Sequence, residues 1–139
     1  MKIFIAQAMH GRTDADILQE REYAIDYIGK TENESLEVID QFHVDNPPDN
    51  AGRLWYLGRS IQKLSEADKV YFIGKWWKAK GCVVEKLICT LYHINNVNQY
   101  DVLHYTTTDH DLKLMHIINT SFTYILKTVF DESHNKPSI

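Results

Sequence analysis

The sequence predicts an α/β fold: a doubly wound, mainly parallel sheet of four to five strands with helices on both faces. Three observations predict it. β-type runs alternate with stretches of helical periodicity in the order β-α-β-α-β-α-β-α, the pattern that builds a parallel sheet through crossover helices. The runs at residues 2–6 and 69–73 are nearly continuous in apolar residues, as strands covered on both faces must be. No internal repeat or low-complexity tract interrupts the 139 residues.

Each element has its own signal. The run Lys2-Ile3-Phe4-Ile5-Ala6 opens the chain and empties into a loop at 7–12 that contains Gly11. Thr13 or Asp14 can cap the following helix, whose face is Ile17, Leu18, Ala24, Ile25 and Ile28, with Gly29 as its stop. Residues 36–39 read as a weaker, shorter strand. Residues 43–52 are polar, carry Pro47-Pro48 and read as a surface loop. Leu54, Leu57, Ile61 and Leu64 restore a helical stripe before the clearest strand, Lys69-Val70-Tyr71-Phe72-Ile73. A loop at 74–80 then leads into a helix from about Gly81, with Val84, Leu87, Ile88 and Leu91 expected inward. Residues 101–105 read as a fourth strand, and Thr108 with Asp111 resembles a capping arrangement for the last helix. That helix carries Leu112, Met115, Ile118, Phe122, Ile125, Leu126 and Val129. One domain over 1–132 and a polar tail over 133–139 account for the chain. In such a flavodoxin/Rossmann-like sheet, ligands bind at the carboxyl ends of the strands near the topological switch point. The loops at 7–12 and 74–81 both lie there.

Composition narrows the function. The 44% hydrophobic and 12% aromatic content are those of a folded globular chain. A formal net charge of -4 argues against long nucleic acid as a partner. No apolar run nears the roughly 20 residues of a membrane span, and residues 1–6 read as a strand instead of a signal peptide. Cys82 and Cys89 would stand about 10 Å apart along one helix, too far to bridge. A cytoplasmic setting without membrane contact is expected.

Among candidate chemical groups Glu85 is the most informative. It falls near the start of a helix that follows a strand and loop, where a carboxylate can face the strand ends and free N–H groups can bind an anion. The same position is also favoured by the helix dipole alone, so position does not establish catalysis. His10, Gly11 and Arg12 can cradle a phosphate, or form a solvated turn. Trp76 and Trp77 have no strand alternation to bury both, so one can wall a base. There is no GxGxxG fingerprint and no Walker A sequence. His43, His93, His104, His110, His116 and His134 show no metal-ligand spacing. Neither a metal nor another cofactor is expected.

Two stretches, KIFIAQAMHGR and LGRSIQKLSEADKVYFIGKWWKAKGCVVEKLICTLYHI, carry a resemblance to the nucleoside 2-deoxyribosyltransferase superfamily, in particular its small, often phage-encoded members. It covers roughly 1–95. The second stretch is the more specific: a helix, an Ala-Asp pair, a strand, a loop, then Gly-x-x-x-Glu opening another helix. The resemblance implies that Glu85 is a nucleophile that attacks the anomeric carbon, expels the base and forms a glycosyl ester. It implies a second catalytic position at Ser60, where relatives carry an acid, and a match of Asp68 to the Ala-Asp pair. Relatives similar to 2′-deoxynucleoside 5′-phosphate N-hydrolases place phosphate at the first loop and at this helix start. The implied binding residues are Phe4, Gln7, Ala8, Met9, His10, Gly11, Arg12, Trp76, Trp77, Lys78, Gly81 and Cys82. Phe4 departs from the family's tyrosine and lacks its hydroxyl. Lys78 or Ala79 stands near the hydrolases' phosphate-loop serine, and a lysine still suits an anion. The expected partners are a nucleoside or nucleotide and a second copy of the chain, since subunits in this superfamily often complete one another's sites. Two functional readings follow: an N-glycosidase or deoxyribosyltransferase, and a non-catalytic protein that senses or sequesters a nucleotide or ADP-ribose-like ligand. An interaction module using the last helix is a third.

Overall fold

A computed structural model of the chain describes residues 1–41, 44–99 and 109–133. Four strands, β1 (Lys2–Gln7), β2 (Glu37–Val38), β3 (Lys69–Ile73) and β4 (Asn96–Gln99), form one sheet in the order β2-β1-β3-β4. Every pairing is parallel, with Ile3 opposite Lys69 and Gln7 opposite Ile73 at the centre. The helices are α1 (Asp14–Glu32), α2 (Arg53–Leu64), α3 (Lys80–Leu91) and α4 (Asp109–Ser133). This is the doubly wound flavodoxin/Rossmann-like arrangement.

The period-2 alternation of the central strands divides the core into two layers. Ile3, Ile5, Tyr71 and Ile73 turn to one face and meet Ala24 and Ile28 of α1. Phe4, Ala6, Val70 and Phe72 turn to the other, against Leu64 of α2 and Cys82 and Cys89 of α3, with Leu114 and Ile118 of α4 alongside. Residues 3–6 of β1 and 70–73 of β3 are all within 1% of complete burial, which explains why their runs read as unbroken apolar segments.

Helix ends follow local chemistry, with one correction. Thr13 caps α1 by accepting from the Asp16 N–H at 3.2 Å. The helix does not stop at Gly29. It continues to Glu32, and Asn33 takes the left-handed conformation at φ 57°, which asparagine tolerates better than most residues. Leu18 is 49% exposed and Leu54 82% exposed, so neither joins the core stripe expected of it. In α3 the buried residues are Cys82, Glu85, Lys86 and Cys89; Val84 is 37% exposed, and Leu87, Ile88 and Leu91 are half-buried. In α4 Phe122 is buried while Ile125 is 38% exposed.

The structure has a strand at Asn96–Gln99 that was not expected; residues 101–105 and Thr108 lie outside the described residues. Val70 pairs with Asn96 and Phe72 with Asn98, so the two asparagines share the layer that α3 covers. There the Lys86 ammonium donates to Asn96 Oδ1 at 2.5 Å and to Asn98 Oδ1 at 3.1 Å, and lies 4.9 Å from the Phe72 ring centroid. Among the described residues no helix is long and apolar enough to cross a membrane.

Candidate functional site

Chain order reverses between β1 and β3: β2 lies on one side of β1, and β3 with β4 on the other. The crevice at the carboxyl ends of these strands is where such a sheet binds ligands. A cleft of about 940 Å³ opens there. Gln7, Met9 and His10 line it from the end of β1. Arg53, Leu54, Tyr56, Leu57, Arg59, Ser60 and Lys63 line it from α2, and Lys78 through Cys82, Val84 and Glu85 from the start of α3.

Glu85 sits in the first turns of α3 and is 5% exposed. The Ser60 hydroxyl reaches across from α2 and donates to Glu85 Oε1 at 2.7 Å. Burial pushes the Glu85 pKa from 4.5 up to about 7, and the Ser60 hydrogen bond offsets only part of that rise. The carboxyl is therefore divided between its two forms near neutrality. Glu85 is the one carboxylate among the described lining residues, which also carry Arg53, Arg59, Lys63, Lys78, Lys80 and His10. Arg59 donates to Gln62 Oε1 at 2.7 Å and Lys63 to the Asp40 carbonyl at 2.5 Å.

The start of α3 is open. Its N-cap is Ala79, whose side chain makes no capping hydrogen bond, so the first N–H groups carry the helix's positive end toward the cleft. Gly81 is not demanded by space: a Cβ there would meet Leu57 Cδ1 at 3.7 Å, an ordinary contact.

The first loop divides its residues between cleft and scaffold. Met9 and His10 line the cleft. Arg12 instead turns to α1, donating to Glu20 Oε2 at 2.7 Å and to the Ala8 carbonyl at 2.9 Å. Glu20 is 9% exposed and also accepts from Gln7 Nε2 at 2.5 Å, while the same nitrogen donates to the Ile17 carbonyl at 2.9 Å. The Gln7 amide is thereby fixed, and its Oε1 is buried with no hydrogen-bond partner. Gly11 is in the left-handed region at φ 76° and is exposed.

The remaining predicted residues stand elsewhere. Phe4 and Trp76 are fully buried and Trp77 is 6% exposed, all three in the core beneath α3. Neither tryptophan lines the cleft: a 3₁₀ turn at Trp76–Lys78 folds both indoles inward. Asp68 lies at the opposite, amino-terminal edge of the sheet and accepts from the Lys2 N–H at 2.7 Å, which ties β3 to β1. The structure brings together Glu85, Ser60, Gln7, Met9, His10, Lys78, Gly81 and Cys82. The aromatic residue that does line the cleft, Tyr56, was not predicted, nor were Arg53, Arg59, Lys63 and Lys80. Their signal was present: 53, 56, 60 and 63 recur at helical spacing, so they share the α2 face that carries Ser60. Among the described residues no group of three or more His, Cys, Asp or Glu side chains could hold a metal.

Comparison with known proteins returned no family model, no curated protein and no solved structure that matches the chain.

Proposed function

We propose that the chain is an N-glycosidase or deoxyribosyltransferase acting on a nucleoside or nucleoside 5′-monophosphate, with Glu85 as nucleophile. The observation that carries this reading is Glu85 itself. It is a buried carboxylate, held by Ser60, in the floor of a switch-point cleft whose other charged side chains are cationic. The sequence resemblance maps the nucleophile of the nucleoside 2-deoxyribosyltransferase superfamily onto the same residue.

Ser60 engages Oε1, so Oε2 of the ionised carboxylate is the attacking atom. It forms a bond to the anomeric carbon as the bond from that carbon to the base nitrogen breaks. The base leaves with the electron pair and takes up a proton. Water then attacks the glycosyl ester, releasing the sugar and restoring the carboxylate, or a second base nitrogen replaces water and gives transfer. His10 lines the same cleft, and in this reading it hands the departing base its proton. The Arg and Lys side chains and the open start of α3 suit a 5′-phosphate. A homodimer through α4, where Ile117 and Tyr124 are 58% and 72% exposed, accompanies this reading.

One observation favours the second reading. Glu85 is the one carboxylate among the described lining residues, so no second carboxylic acid stands ready for the leaving base. A protein that only binds a nucleotide or an ADP-ribose-like ligand, to sense or sequester it, would need no such acid.

The test is incubation of the pure protein and of Glu85→Ala with nucleosides, nucleoside 5′-monophosphates and NAD-like compounds, with free base followed by chromatography. The expected result is base release that falls by roughly 10³-fold or more in the variant, the scale at which loss of a nucleophile acts. Absence of release from every compound, with thermal stabilisation by one of them, overturns the enzyme in favour of the binder.

A further inference from the structure

Going beyond the nucleoside reading, we infer that Ser60 and Glu85 form a nucleophile–base pair that hydrolyses small carboxylic esters carrying an apolar acyl or aryl group. The reaction uses the same cleft and does not depend on a nucleoside.

The pair has the geometry of such a centre. A nucleophilic hydroxyl needs a base within hydrogen-bond reach, roughly 2.6–3.2 Å away. The Ser60 hydroxyl donates to Glu85 Oε1 at 2.7 Å, so its proton already points along the line of transfer. Glu85 is buried and Ser60 half-buried, and both line the cleft. A base works best with a pKa near the working pH. Burial raises that of Glu85 to about 7, so near neutrality it takes up a proton more readily than an ordinary carboxylate.

The way the two helices meet supplies the rest. Gly81 lies against Leu57, since a Cβ at Gly81 would meet Leu57 Cδ1 at 3.7 Å. Ser60 is three residues further along α2 and Glu85 four further along α3, about one turn in each helix. The hydroxyl therefore stands about 5 Å along the axis from the start of α3. There Val83 N–H donates to the Ala79 carbonyl at 3.1 Å, while the N–H groups of Lys80 and Gly81 before it have no carbonyl within the helix. Ala79 supplies no capping side chain. Such N–H groups suit the oxyanion of a tetrahedral intermediate. Leu54, Tyr56 and Val84 are large apolar side chains exposed in this cleft, which suits an apolar acyl or aryl group.

Each step balances. Ser60 Oγ bonds to the ester's carbonyl carbon as its proton passes to Glu85 Oε1 and the carbonyl π pair moves onto oxygen. That pair returns, the bond to the alcohol oxygen breaks, and Glu85 gives the departing alcohol its proton. Water then attacks the acyl-serine ester, giving a proton to Glu85, and Ser60 leaves with that proton. One ester and one water become one acid and one alcohol.

The experiment treats the full chain with p-nitrophenyl acetate, following p-nitrophenolate. A second sample receives an alkyl fluorophosphonate, with the adduct located by peptide mass spectrometry. This probe traps the nucleophile as Ser60 Oγ bonds to phosphorus and fluoride leaves. The expected result is a single adduct on Ser60, and ester turnover that falls to the buffer rate in Ser60→Ala. Glu85→Gln keeps an acceptor oxygen but cannot take up the proton, and is expected to slow labelling and turnover by about 10²-fold or more. An adduct only at other residues, no adduct at all, or turnover that persists in Ser60→Ala overturns the inference. Labelling of Ser60 at an unchanged rate in Glu85→Gln overturns it too. Base release from nucleosides without labelling of Ser60 leaves the glycosidase reading standing alone. Labelling of Ser60 without base release does the reverse.

Discussion

At the scale of single residues, Glu85 occupies its place against its own stability. Its folded pKa of about 7 exceeds the ordinary value of 4.5, and each unit corresponds to about 1.4 kcal/mol. Ionising it inside the folded chain therefore costs up to about 3 kcal/mol. Because the folded value is raised, the stability this group contributes is full below pH 4.5 and is lost as pH rises through about 7. Glu85→Gln should accordingly raise the melting temperature at pH 8, by roughly 5 °C or more, and change it little at pH 4. Thermal unfolding at the two pH values measures this, and a gain of equal size at both would refute the burial argument. Ser60 acts in the opposite sense, since its hydrogen bond favours the ionised carboxylate. If the ionised form attacks, activity falls as pH drops through about 7. Ser60→Ala should then move that acid limb upward by up to about one unit with the alkaline limb unchanged. A pH–rate profile with an unmoved acid limb would show that Ser60 does not set the ionisation of Glu85.

At the scale of elements, the strands most legible in the sequence were those with a uniform environment. β1 and β3 are covered on both faces, so every residue after the first of each strand reports burial. β4 was missed because asparagine is depleted in strands, and Asn96 and Asn98 are explained by Lys86, a partner on a different element. The inward face of α3 was misread for a related reason. Its buried side includes Glu85 and Lys86, each held by a polar partner that no local pattern reveals. The tryptophans were misplaced because adjacent residues can both turn inward in a 3₁₀ turn, where no strand or α-helical period applies. Glu85 itself was legible, since the strand, loop and helix order fixed its position at the strand ends. The join between β3 and the loop is a further element-scale device. Gly74 has φ 58°, and a Cβ there would lie 2.7 Å from Glu20 Oε1, the carboxylate that fixes Gln7 and Arg12. Gly74→Ala should destabilise the protein by about 1–3 kcal/mol, from the left-handed backbone together with the clash. Urea unfolding measures it; a loss below about 0.5 kcal/mol, the ordinary range for a surface change, would mean that the Glu20 cluster relaxes freely.

At the scale of the whole molecule, an acidic chain presents a basic cleft. The net charge is -4, yet among the described lining residues cations outnumber the one carboxylate, Glu85. Two opposing fields therefore act on an approaching anion. At long range the acidic surface repels it, and within the cleft the local cations attract it, the low-dielectric walls focusing their field. Salt acts on both: it screens the long-range repulsion, the Debye length being about 10 Å at 0.1 M, and its anions compete with the ligand for the cleft cations, an effect that grows with ligand charge. The balance differs with ligand charge. An uncharged nucleoside senses neither field, whereas each phosphate brought into the cleft replaces bound counterions. Raising NaCl from 50 to 300 mM should weaken ATP binding by about tenfold or more, AMP by less, and adenosine hardly at all. Calorimetric dissociation constants at the two salt concentrations would check the order. If all three ligands weakened equally, salt would be acting on the fold and not on the cleft. If ATP tightened instead, the acidic exterior would dominate, and the cleft cations would be solvated surface charges with no ligand to neutralise.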